Sequence, residues 1–362
     1  MSRLTDEKEW YLSLFLVMIV LSALFVMSVN KISIWGEEEV DYNAENKIVN
    51  LSKWTVRQKI GQMTIALARN DNGPFLKKLN IGGVFMPAKK SPWSFIGNTE
   101  LYQTNFTTVP LFITTDLEGC INPFETFKPF PPVKEVKTIR EARELGIEHG
   151  RILNELGFNM NFAPVVDLED KIWRCRTFTG TPEEITGKSI AYIEGLQSQG
   201  IIATSKHYPG QTLNINDPHK YKVVANITKV DLMPFYQSMN SDVGALMINH
   251  LIVSGEVDSK SKPACASPEI INELKTDYPG LIITDDIQML GLKKHYVNEE
   301  QMYIDLFKTD NDMIIYLTRN VDSIYKMVLA VENGVMRGEI SEVRLDNSVE
   351  KILKAKNITV VY

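Results

Sequence analysis

The sequence is short of most features that would tie a chain to metals, disulfide frameworks or nucleic acid. Its 362 residues hold only three cysteines, Cys120, Cys175 and Cys265. These are too few for a disulfide framework and have no zinc-ligand spacing, so they read as buried or half-buried thiols. The five histidines include no His-x-His pair, which argues against a metal-dependent hydrolase built on His207, His219 and Asp285. No Gly-x-Gly-x-x-Gly follows an apolar run, which weakens a dinucleotide-binding reading. No basic stripe or tail accompanies the formal net charge of −6, and a nucleic-acid partner is not expected. Beyond Trp54 there is no long low-complexity stretch and no repeat.

One segment lacks charge altogether. Residues 10–30, "WYLSLFLVMIVLSALFVMSVN", contain no charged residue, Gly or Pro. At about 1.5 Å rise per residue, such a helix spans the roughly 30 Å hydrocarbon core. A cleaved signal peptide would have a shorter apolar run and an Ala-x-Ala-like site. The expectation is therefore a single-pass transmembrane anchor over 10–30, with a short flank over 1–9 and an acidic linker over 31–52. Arg3 and Lys8 precede the run and Lys31 and Lys47 follow it, so the positive-inside count is a tie and leaves topology open.

The remainder, 53–362, alternates short β-rich runs with helical patterns. The runs are "IGGVFM" (81–86), "PLFITTD" (110–116), "MNFAPVVDL" (160–168), "IIATSKHYPG" (201–210), "ALMINHLIV" (245–253), "GLIITDD" (280–286) and "DMIIYL" (312–317). Amphipathic stretches such as "IREARELGIEHGRILNELG" and "EEITGKSIAYIEGLQSQG" lie between them. Strands buried on both faces and separated by helices are the pattern of a parallel α/β sheet. Seven or eight such units fit a (β/α)8 TIM-type barrel better than a doubly wound sheet. Asp116, Asp167, Lys206 with His207, His250, and Asp285 with Asp286 all fall at the carboxyl ends of separate strands, where barrel active sites assemble. A single aspartate there could be a helix N-cap; five convergent strand ends are hard to obtain by capping alone.

The loop "KHYPGQTLNINDPH" resembles the Lys-His-x-Pro-Gly…Asp-x-His signature of family 3 glycoside hydrolases, in the β-N-acetylhexosaminidase (NagZ-like) branch. "LIITDDIQMLGL" is similar to that family's nucleophile segment, "TTDLEG" to its sugar-binding turn, and "FNMNFAPVVDLED" with "RTFTG" to its third-strand segment. "GEISEVRLDNSVEKILKAK" resembles its last helix, so the likeness runs from about Trp54 to Lys356. It implies a retaining exo-β-N-acetylhexosaminidase with no metal or organic cofactor. Its substrates would be glycans with terminal β-linked N-acetylglucosamine, of peptidoglycan or muropeptide type. An extracellular, cell-wall-facing domain on a membrane anchor would suit that substrate.

The chemistry can be set beside the likeness. Asp285 ends an apolar strand and fits the nucleophile, while Asp286 would point to the other face and take a supporting role. The resemblance implies a histidine in place of the second carboxylate that most glycosidases use. His219 is the candidate acid/base, and Asp217, two residues earlier, can fix its tautomer and stabilise its cation. Asp116, Arg176, Lys206 and His207 are the implied sugar-binding residues.

There are departures. The turn reads Glu118-Gly119-Cys120-Ile121-Asn122-Pro123-Phe124 without the family's arginines, Gln211 and Thr212 replace a His-Gly pair, and Pro218 sits inside Asp-x-His. They motivate two alternatives: a degenerate barrel that binds glycans without cleaving them, and a phosphorolytic variant. The chain also ends too soon for the additional sandwich domain that many family members carry, so the barrel loops or a partner would complete the site.

Overall fold

Most of the short apolar runs pair side by side as parallel strands. The computed structural model describes residues 39–211 and 216–362. Its strands are β1 (Ile48–Asn50), β2 (Thr64–Leu67), β3 (Gly83–Phe85), β4 (Phe112–Thr114), β5 (Met160–Asn161), β6 (Ile202–Tyr208), β7 (Val224–Ile227), β8 (Ala245–Ile248), β9 (Ile252–Gly255), β10 (Leu281–Thr284), β11 (Ile314–Tyr316) and β12 (Thr359–Val361). One four-stranded sheet has the order β11-β2-β3-β4 and another the order β10-β8-β6-β5. Backbone hydrogen bonds cross both seams. The Phe162 N–H donates to the Thr115 carbonyl at 2.9 Å beside β4 and β5, and the Thr284 N–H to the Met313 carbonyl at 3.0 Å beside β10 and β11. In chain order these strands therefore follow one another around a closed ring, which leaves no strand edge unpaired. β1 pairs with β12 and β7 with β9 outside the ring.

The composition explains the arrangement. β8 (Ala-Leu-Met-Ile) and β10 (Leu-Ile-Ile-Thr) are buried at every position, as strands covered on both faces must be. Between them run capped helices. Ile139–Glu155 opens on a capping box of Thr138 and Glu141, and Pro182–Gln197 on one of Thr181 and Glu184, which satisfies the first free N–H groups of each. The two helices pack closely through glycine: a Cβ on Gly146 would lie 2.3 Å from the Tyr192 carbonyl oxygen.

Some runs divide differently from the sequence pattern. The stretch 245–253 falls into two strands, β8 and β9, separated by Asn249, His250 and Leu251. The stretch 160–168 keeps only Met160–Asn161 as strand, because Pro164 brings no N–H to a ladder. β2 was not among the expected runs, yet it pairs with both β11 and β3.

The expected transmembrane helix is corrected. Among the described residues no helix is long and apolar enough to cross a membrane. The longest, Ile139–Glu155, has 17 residues and exposed charges along one side, short of the roughly 20 apolar residues of a span. The run 10–30 lies outside the described residues. The single-pass membrane placement, the membrane partner and the extracellular assignment are therefore not carried further.

Candidate active site

The polar side chains gather at the carboxyl ends of the ring strands. β6 contributes two in succession. Its register against β8 shifts between Lys206 and Tyr208, a bulge of the kind that re-aims side chains. Lys206 and His207 accordingly both reach site carboxylates, although strict alternation would point them apart. The Lys206 Nζ lies 2.7 Å from Asp116 Oδ1 and 2.5 Å from Glu118 Oε1. Glu118 Oε2 faces Arg176 Nη1 at 3.5 Å, and Arg176 Nε reaches Asp170 Oδ2 at 3.5 Å. Lys206, Glu118 and Arg176 are buried, whereas the Asp116 side chain keeps 33% of its surface exposed, which makes it the carboxylate of this group open to a ligand.

Burial penalises each of these charges, and pairing reverses the penalty at Lys206, Glu118 and Arg176. It does not at Asp116, whose carboxyl is kept above its usual range by partial burial and the charge of Glu118 despite Lys206. Burial would strip the proton from Lys206, but Asp116 and Glu118 outweigh it and hold the ammonium above its usual range. It would push the Glu118 carboxyl up, but Lys206 and Arg176 hold it below its usual range. Two cations and three carboxylates thus form a largely buried polar floor whose members depend on one another.

His207 is fixed separately. Its Nδ1 lies 3.0 Å from Asp167 Oδ2, and the other Asp167 oxygen accepts the Gln211 N–H at 3.1 Å. Asp167 therefore sets both the imidazole and the path of the chain leaving β6.

Asp285 follows β10 directly. Its N–H donates to the Ile248 carbonyl at 3.0 Å, and its Oδ1 accepts the Asp286 N–H at 2.7 Å. Burial opposes its ionisation, but the imidazoles of His207, His250 and His219 together hold the carboxyl below its usual range. Asp286 turns aside and accepts the Gln288 and Leu317 N–H groups, each at 3.1 Å. Burial, with the charge of Asp285 adding to it, pushes its carboxyl up to about 6. His250 lies beneath: its Nε2 is 3.0 Å from the Asp286 carbonyl and its Nδ1 3.1 Å from Cys265 Sγ. A carbonyl can only accept, so Nε2 carries the proton and Nδ1 accepts from the thiol.

His219 and Asp217 sit on the loop above. His219 Nδ1 is 2.7 Å from Asp217 Oδ1, which also accepts the His219 N–H at 3.0 Å. Burial raises the Asp217 carboxyl, but the two His219 bonds and the charges of His219 and Lys220 bring it below its usual range. The His219 side chain is 51% exposed, open to an incoming ligand. Just beyond Asp285, the Leu290 N–H donates to the His219 carbonyl at 3.1 Å and the Gly291 N–H to the Pro218 carbonyl at 3.0 Å. Within this loop, residues 212–215 lie outside the described residues.

The seven residues singled out from the sequence, Asp116, Arg176, Lys206, His207, Asp217, His219 and Asp285, thus occupy one rim. Several of their partners were not assigned from the sequence. Glu118 has no role implied by the sequence, and nothing local to Asp170 and Asp167 marks them as the anchors of Arg176 and His207. The expectation of three free thiols is also overturned. Cys120 and Cys175 form a disulfide with their Cα atoms 6.1 Å apart, and only Cys265 remains a buried thiol. The available signal was position: Cys120 follows the Glu118-Gly119 turn and Cys175 precedes Arg176, and both neighbours were expected at the same sugar. Among the described residues no group of three or more His, Cys, Asp or Glu side chains could hold a metal ion.

Residues 55–355 match the glycosyl hydrolase family 3 N terminal domain. The chain is 25% identical over 330 residues to a β-N-acetylglucosaminidase/β-glucosidase of Cellulomonas fimi, an alignment covering 83% of this chain and 57% of that protein. It is 23% identical over 323 residues to the β-hexosaminidase LpqI of Mycobacterium tuberculosis (strain ATCC 25618 / H37Rv), covering 83% and 82% respectively. In three dimensions it is similar to a family 3 β-N-acetylglucosaminidase from Paenibacillus sp. str. FPU-7, with a TM-score of 0.78 at 25% identity over 84% of this chain and 62% of that one. A family 3 glycosyl hydrolase of Mycobacterium smegmatis str. MC2 155 shares the fold, with a TM-score of 0.77 at 22% identity over 84% of this chain and 98% of that one.

Proposed function

The chain belongs to glycosyl hydrolase family 3, and on that premise we propose that it is a retaining exo-β-N-acetylhexosaminidase. The substrate class we put forward is glycans with terminal β-linked N-acetylglucosamine, of peptidoglycan or muropeptide type. The names of its relatives support the hexosaminidase reading; the peptidoglycan-type substrate comes from the resemblance of the loop motif.

The observation that carries the mechanism is the Asp217–His219 pair at 2.7 Å, backbone-bonded to the segment that follows Asp285. In this reading an Asp285 carboxylate oxygen attacks the anomeric carbon while His219 gives the proton on Nε2 to the glycosidic oxygen, and the sugar alcohol departs. Asp217 holds Nδ1–H and stabilises the imidazolium before that transfer. In the second step His219 takes a proton from water, the water oxygen bonds to the anomeric carbon, and the Asp285 ester bond breaks. Asp116, Lys206, His207 and Arg176 would hold the sugar hydroxyls from the floor, where charge-assisted hydrogen bonds are about twice as strong as neutral ones.

The test is hydrolysis of 4-nitrophenyl N-acetyl-β-D-glucosaminide by the chain from about residue 48, beside Asp285→Asn and His219→Ala. Nitrophenol released by the wild type, abolished in the first variant and slowed in the second, is expected. Muropeptide binding without release would instead favour a glycan binder, and release that depends on inorganic phosphate would favour phosphorolysis.

A further inference from the structure

The mechanism leaves one large side chain at the rim unused. Trp173 is 47% exposed, and its ring meets the His219 ring edge-on with centroids 6.4 Å apart. On its inner side the Arg176 guanidinium lies 5.5 Å from the ring centroid. The loop bearing Trp173 is firmly built. The Asp170 carboxylate accepts the Trp173 N–H at 2.9 Å and the Ile172 N–H at 3.2 Å. Arg174 turns the chain at a φ of 62°, and Cys175 is bonded to Cys120.

Position suggests the role. A general acid must lie within hydrogen-bond reach of the oxygen it protonates, so the glycosidic oxygen belongs beside His219. Inward of that point lie Asp285, Lys206 and His207, on the side of the sugar whose anomeric carbon is attacked. The departing group must extend outward, and there the exposed aromatic that touches His219 is Trp173. We propose that Trp173 is the platform for the leaving-group sugar: it binds a pyranose ring against its apolar face and sets specificity beyond the scissile bond. An indole suits this ligand, since it offers a flat apolar body with a polar N–H at its edge, matching a ring with C–H groups on one face and hydroxyls around its rim. The inference rests on the hydrolase reading above.

The experiment compares wild type with Trp173→Ala on two substrates sharing the same donor sugar, the β-1,4-linked disaccharide of N-acetylglucosamine and methyl N-acetyl-β-glucosaminide. Both leaving groups are alcohols that need the proton from His219, but only one is a ring. In Trp173→Ala, kcat/KM for the disaccharide is expected to fall roughly tenfold or more while the methyl glycoside is unaffected, and Trp173→Phe should recover most of the loss. An equal fall on both substrates, or none on the disaccharide, overturns the platform. A second readout does not need turnover: calorimetric titration of Asp285→Asn protein with and without Trp173→Ala. Weaker binding of the disaccharide with unchanged binding of N-acetylglucosamine supports the platform, and identical disaccharide binding overturns it. If the wild type cleaves neither substrate the hydrolase reading fails, and the calorimetric comparison still decides the platform.

Discussion

The backbone N–H of Gly291 donates to the carbonyl of Pro218 across 3.0 Å, so the segment that follows Asp285 also grips the loop that carries His219. The two proposed reacting groups are thereby spaced by main chain. Only glycine fits at that contact: a Cβ on residue 291 would lie 2.2 Å from the Pro218 carbonyl oxygen. Gly291→Ala is expected to displace the His219 loop and lower kcat by roughly 10- to 100-fold, the scale set by a misplacement of about 1 Å. Steady-state kinetics check this, and an unchanged kcat would mean that other contacts place the loop.

The Cys120–Cys175 bond joins loops from two different strands across a sequence separation of 55. Replacing both cysteines by serine should destabilise the fold by up to about 4 kcal/mol on the chain-entropy account. It should also raise KM more than it lowers kcat, because Glu118 and Arg176 flank the bond. Denaturant unfolding of wild type with and without reductant, beside the double serine variant, reads the first effect. A wild type indifferent to reductant would contradict it.

Lys206 tests the interdependence of the floor. Lys206→Met leaves Glu118 and Asp116 without their nearest cation and should cost roughly 3–5 kcal/mol of stability. Adding Glu118→Gln removes one orphaned charge and should restore part of that stability, with activity still lost. Chemical denaturation of both variants measures it; simple additivity would show that the two residues do not act as a unit.

Asp286 should leave a signature in the pH dependence of stability. Its carboxyl is raised from 3.8 to about 6 in the folded chain, so the folded state favours the protonated form. The stability this contributes is complete below pH about 4 and is lost as pH rises through about 6, by as much as about 3 kcal/mol at full effect. Asp286→Asn keeps an acceptor oxygen for Gln288 and Leu317 while removing the charge. Its melting temperature relative to wild type should therefore climb between pH 4 and pH 7, and a constant difference would rule this out.

What could be read from the chain follows from how local each signal is. The aspartate at the end of "LIITD" and the Lys-His pair at the end of "IIATSKH" announce themselves, because a polar residue closing an apolar run is visible in a few letters. Their partners are not local. Lys206 finds Asp116 90 residues away, and His207 finds Asp167 40 residues away, so neither pairing exists until the strands are side by side. The Cys120–Cys175 bond, across 55 residues, is non-local in the same way. Trp173 gives no sequence signal because it lies in a turn with no periodicity. The transmembrane expectation rests on the length, apolarity and lack of charge of 10–30, which lies outside the described residues, and no described helix is long and apolar enough to cross a membrane.

The pairing of charges at the rim bears on what the site could tolerate. Glu118 and Asp116 share Lys206, Arg176 joins Glu118, and Asp167 has His207. Among the described residues no lysine or arginine pairs with Asp285. On the proposed assignment, a ligand bearing positive charge at its anomeric centre would be drawn to Asp285, whereas the same charge beside Asp116 would meet a carboxylate already shared with Lys206. For inhibitor chemistry, where the nitrogen is placed in the ring would matter more than whether there is one.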